Sequence, residues 1–99
     1  MTQLCGKARR YLRSLGNQLR PTVFLGKEGI SAALLRSIDE AHAHRELIKI
    51  KIERGCPLDR KEAGDHLAAA TESHLVQVLG NTVLLYRPDP DDPKIALPS

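Results

Sequence analysis

Aromatic residues are scarce: tryptophan is absent, and Tyr11, Phe24 and Tyr86 are the three aromatics in 99 residues. Reading of unpaired bases by several stacked rings is therefore thin, and Phe24, inside an apolar run, is assigned to the core. Cysteine is nearly as rare. Cys5 and Cys56 stand apart with no CxxC pair, which excludes a disulfide framework and leaves two free thiols. His42 and His44 point roughly 200° apart on a helix turning about 100° per residue, so they read as helix surface. His66 and His74 have no Asp/Glu/Cys cluster at ligand spacing, and no metal site is expected. No apolar run reaches the ~20 residues of a membrane span. The opening MTQLCGKARR lacks the features of a secretory signal, so the expected compartment is the cytoplasm.

Catalytic motifs are missing as well. GxxxxGK[ST] and GxGxxG do not occur, and no nucleophile, base and acid converge at a recognisable spacing. Ser14, Ser31, Ser37 and Ser73 have no nucleophile-elbow context. Asp39, Glu40, Glu46 and Glu53 occupy surface-like positions, as solvated carboxylates do. The chain is expected to be non-enzymatic, without cofactor, small-molecule substrate or membrane partner, and monomeric. Hydrophobic residues at 41% and charged residues at 27% fit one globular domain over residues 1–99, with a Pro/Asp-rich tail from about residue 88.

What the sequence does have is charge in one place. Residues 1–54 hold 11 basic and 5 acidic side chains, residues 55–99 only 4 basic against 7 acidic. Lys7, Arg9, Arg10, Arg13, Arg20 and Lys27 all precede the first carboxylate, Glu28. A one-ended positive field favours a polyanion, with nucleic acid before a membrane surface.

The local pattern predicts the order α-β-α-β-α-β-β. Over Thr2–Leu15, Leu4, Ala8, Tyr11, Leu12 and Leu15 share one helical face, with Lys7, Arg9, Arg10 and Arg13 opposite. Thr2 caps that helix and Gly16 supplies a left-handed end. The run TVFL is a buried strand. Ser31 caps a helix over Ala32–His44 with Ile30, Leu34, Ile38 and Ala41 inward. From Leu47 to Glu53, Ile48, Ile50 and Ile52 alternate with Lys49 and Lys51, as in a half-buried strand. Asp59 and Glu62 open a helix to about Ser73, with Ala63, His66, Leu67 and Ala70 inward and Gly64 a weak point. LVQVL and TVLLYR form a hairpin across Gly80-Asn81. The tail forms no regular structure, though Ile95 and Leu97 can dock on the body. A strand-helix-strand crossover makes its strands parallel, so the fold is α/β: a four-stranded mixed sheet with helices packed on it.

The chemistry centres on Gly26-Lys27-Glu28-Gly29. A glycine turn at a helix N-terminus offers free N–H groups, the positive helix end and a lysine, which together suit phosphate. A four-residue Gly-x-x-Gly turn by itself more often serves only as a tight strand-to-helix connection. Its company is what matters: the basic first helix, Arg20, Lys49 and Lys51 occupy the same half and can track a phosphate backbone. With so few aromatics, folded RNA is the expected target.

RPTVFLGKEGIS, RELIKIKIE, VQVLGNTVLLYRP and KIALP resemble, in order and spacing, the YhbY-type CRM domain (chloroplast RNA splicing and ribosome maturation), over nearly the whole chain. The resemblance implies a fold similar to the C-terminal domain of the third bacterial translation initiation factor. It also implies RNA binding, on precursors of the large ribosomal subunit during assembly. The RNA-contact loop it implies falls on Gly26, Lys27, Glu28 and Gly29, and the basic helix face on Lys7, Arg10 and Arg13. Arg20, Ser31, Lys49 and Lys51 complete the expected RNA-binding set. The alternative is a protein-interaction module whose basic face meets a ribosomal or other acidic partner. A nuclease or a membrane-surface helix is disfavoured, by the lack of a carboxylate or histidine cluster and of apolar aromatics on the first helix.

Overall fold

The structure, a computed structural model, describes residues 4–98. Seven elements follow in the expected order: α1 (Gly6–Gly16), β1 (Val23–Leu25), α2 (Ala32–His44), β2 (Leu47–Ile52), α3 (Arg60–Ala70), β3 (His74–Leu79) and β4 (Thr82–Tyr86). The strands form one sheet in the order β1-β2-β4-β3. β1 runs parallel to β2, as the helical crossover requires, while β2 with β4 and β3 with β4 are antiparallel. None of the described helices is long and apolar enough to cross a membrane.

Strand alternation divides the apolar residues between two faces. On one face Val23, Leu25, Ile48, Ile50, Ile52, Val83 and Leu85 pack against Ile38 of α2 and Ala63 and Leu67 of α3. On the other, Leu47, Val76, Leu84 and Tyr86 pack under Leu12 of α1, with Ile95 and Leu97 of the irregular tail closing the edge. The docking of those two tail residues is as expected.

Several local expectations are corrected. The cap of α1 is Cys5, whose Sγ accepts the Ala8 N–H at 3.4 Å; Thr2 lies outside the described residues. Gly16 is the last helical residue, not a left-handed terminator. It is needed for space, because a Cβ there would lie 2.5 Å from Leu84 Cδ2. The buried stripe of α1 is the narrow ridge Ala8, Leu12 and Gly16. Tyr11, about 100° from Leu12 around the helix, falls off that ridge and is 40% exposed. Gly64 is likewise a packing residue: a Cβ would stand 3.1 Å from Leu75 Cδ1 and 3.2 Å from Val78 Cγ2. Around it α3 buries Ala63, Leu67 and Ala68, so His66 and Ala70, expected inward, face solvent.

Two groups expected at the surface are buried. His42 sits one turn after Ile38 on the inner stripe of α2, with Nε2 3.1 Å from the Ser73 hydroxyl and Nδ1 3.3 Å from the Arg45 carbonyl. His44 is exposed. Glu46, 5% exposed, is covered by the tail: its carboxylate accepts the N–H groups of Asp89 (2.6 Å), Lys94 (2.8 Å) and Ile95 (2.7 Å). Three donors satisfy a charge that would otherwise be costly to desolvate.

Candidate nucleic-acid interface

The Gly26–Gly29 segment connects the end of β1 to α2 through a closed turn, the Gly29 N–H donating to the Gly26 carbonyl at 3.1 Å. Gly29 holds φ +71°, a left-handed conformation that glycine adopts without steric cost. Ser31 then starts α2, its Oγ accepting the Leu34 N–H at 3.1 Å. This leaves Lys27 and Glu28 exposed at the turn's tip, ahead of the positive end of a 13-residue helix.

A second turn supports the first. The Glu53 N–H donates to the Leu25 carbonyl at 2.8 Å and the Cys56 N–H to the Glu53 carbonyl at 3.2 Å, so the chain leaving β2 folds beside the glycine turn. Gly55, at φ +95°, comes close enough that a Cβ there would be 3.8 Å from Lys27 Cβ. Exposed Arg54 belongs to this neighbouring turn. A shallow depression is lined by Lys27, Glu28, Gly29, Ser31, Glu53 and Phe24. Lysine, glycine backbone and helix end favour an anion there, while the carboxylates of Glu28 and Glu53 oppose one.

The remaining predicted residues fall into two groups. Lys49 and Lys51 project from β2 on the face that carries α1, since they pair in register with Leu84 and Thr82. Arg20 and Lys49 line a common groove with Arg45, which has no counterpart in the sequence reading. On α1, Lys7 and Arg10 are exposed and Arg13 is half-buried; they share the sheet face of Lys49 and Lys51 but do not line the depression at the glycine turn. Arg9 has a different task, its guanidinium donating to the Leu75 and Val76 carbonyls. There the β3 register shifts, and a bulge interrupts the ladder of an edge strand. Among the described residues the ion pairs are Arg87–Asp39 and Lys94–Asp92. Lys7, Arg10, Arg13, Arg20, Lys27, Lys49 and Lys51 are in neither, so no paired carboxylate compensates their charge.

Phe24 overturns its assignment to the core: it is 51% exposed. The signal was present in the alternation, because Val23 and Leu25 both point into the α2–α3 core and the residue between them must point away.

The family model for the CRS1 / YhbY (CRM) domain matches residues 4–87. The chain belongs to the CRM domain family. It is 37% identical over 95 residues to the "Probable RNA-binding protein YqeI" of Bacillus subtilis, covering 96% of this chain and 99% of that one. It is 34% identical over 98 residues to an "RNA-binding protein" of Haemophilus influenzae, covering 99% and 98%. The solution structure of SAV1595 from Staphylococcus aureus superposes with a TM-score of 0.82 at 40% identity, over 97% of this CRM domain and 100% of that chain.

Proposed function

We propose that this CRM domain binds RNA, and that its target is the precursor of large-subunit ribosomal RNA during ribosome assembly in the cytoplasm. The observation that carries the proposal is the Gly26–Gly29 turn: an exposed lysine outside any ion pair of the described residues, presented at the N-terminus of α2. Relatives along nearly the full length, named for RNA binding, support the polyanion being RNA. The protein acts as a monomer and carries out no chemistry. The turn holds phosphates, Ser31 keeps the helix end in place, and Lys49, Lys51 and Arg20 with Lys7, Arg10 and Arg13 extend the positive field along the strand.

Crosslinking the protein to RNA in living cells and sequencing what is attached, with Lys27→Glu as the matched control, tests this. Reads concentrated on one region of large-subunit ribosomal RNA and lost in the control are the expected result. Reads spread over all abundant RNA, or unchanged by Lys27→Glu, overturn the ribosomal assignment. A complex that survives RNase overturns RNA binding in favour of a protein partner.

A further inference from the structure

Among the described residues the exposed large hydrophobics are Tyr11, Phe24 and Leu79, and two of them lie in one row. Pairing in register sets Phe24 beside Lys51, Lys51 beside Thr82 and Thr82 beside Leu79. Neighbours in register project to the same face, so this row crosses the whole sheet on the α1 side. α1 stops short of it: the residues it buries, Leu47, Val76, Leu84 and Tyr86, all lie further along the strands. The row is therefore an open shelf about 14 Å wide at the usual strand spacing. Its ends are Phe24 at 51% and Leu79 at 59% exposure.

We propose that this shelf takes an unpaired nucleobase, stacked on the Phe24 ring, from the same strand whose phosphate lies at the Gly26–Gly29 turn. Phe24 lines the depression at that turn as well as ending the shelf, so one residue joins the two. Lys51, directly beside Phe24, is exposed, and Lys49 lies two residues away on the same face. No carboxylate stands in the row. A purely apolar partner would desolvate the Lys51 ammonium without compensation, whereas a nucleotide brings a ring for Phe24 and a phosphate for the lysine. The inference rests on the RNA reading above and adds a contact to bases, which phosphate binding alone does not need.

The test uses the full-length protein and three RNAs: a short single-stranded oligoadenylate, an oligomer of equal length and charge with abasic riboses, and a fully paired hairpin. Removing a stacking aromatic changes affinity by roughly 5-fold to 160-fold per base. Wild type is expected to prefer oligoadenylate over the abasic oligomer by a factor in that range. Phe24→Ala abolishes the preference, bringing oligoadenylate down to the affinity that the same variant has for the abasic oligomer, and Phe24→Tyr restores it. Lys27→Glu weakens both oligomers by the same factor. If wild type binds both oligomers equally, or Phe24→Ala keeps the preference, the shelf is refuted while phosphate binding stands. Binding of the hairpin alone has the same meaning. Failure to bind any of the three overturns RNA binding itself. A thermal melt of each variant identifies loss of fold, and the Tyr and Ala variants together separate the ring's role from a packing defect.

Discussion

Acidification should destabilise the domain through His42. Burial, with the Arg87 charge nearby, lowers its pKa from 6.5 to about 4. The neutral ring fits the site, its Nδ1–H donating to the Arg45 carbonyl and its Nε2 accepting from Ser73. Since the unfolded chain takes up this proton near 6.5 and the folded one only near 4, stability is greatest above the higher value and falls progressively toward the lower. Integrating the difference in bound protons gives a loss of about 2 kcal/mol between about pH 8 and pH 5, approaching about 3 kcal/mol below pH 4. For a domain of this size, 2 kcal/mol corresponds to a fall in Tm of roughly 10 °C. The assay is a thermal melt across pH for wild type and His42→Gln. The variant lacks this proton, and the subtraction removes other titrating groups, including His74, whose pKa burial also lowers. The two curves should converge as pH falls. Parallel curves, or an NMR titration of His42 with its midpoint above about 6, would refute the account.

Other perturbations act on contacts that can be isolated. Glu46→Ala strands three backbone N–H groups and releases the tail from Asp89 to Ile95; we expect a loss of about 2–4 kcal/mol, measured by urea unfolding, with faster proteolysis of the tail. Gly16→Ala drives a methyl into Leu84 and should cost about 1–3 kcal/mol. The gain in helix propensity, at most ~1 kcal/mol and smaller in a final turn, does not offset it, so a variant more stable than wild type would refute the close approach. Lys27→Glu should weaken binding to a ribosomal RNA fragment and shallow the slope of log affinity against log salt by about 1, with Tm unchanged. An unaltered slope would remove Lys27 from the phosphate contacts.

The element order was legible because β2 alternates from Ile48 onward and because caps such as Ser31 and Asp59 act locally, as the structure bears out. The glycine turn was legible for the same reason, being defined by residues adjacent in sequence. Burial was less so where it depends on distant chain. Glu46 reads as a surface carboxylate until residues 43 to 49 positions later fold over it. Gly64 reads as a helix defect until β3 packs against it. Phe24 is the opposite case: aromaticity suggested the core, yet the helix that covers its face reaches only part of the sheet. At an edge strand, neighbour coverage decided the outcome over residue type.

The two cores lie on opposite faces of the sheet and share no helix. The larger is closed by α2 and α3, the smaller by α1 and the docked Ile95 and Leu97. Amide exchange should therefore be stratified: α1 and the tail open together in a partial excursion, while β2 and β4, inside both cores, exchange only on global unfolding. Lys7, Arg10 and Arg13 ride on the part that opens; the turn at Lys27 is fixed to the part that does not.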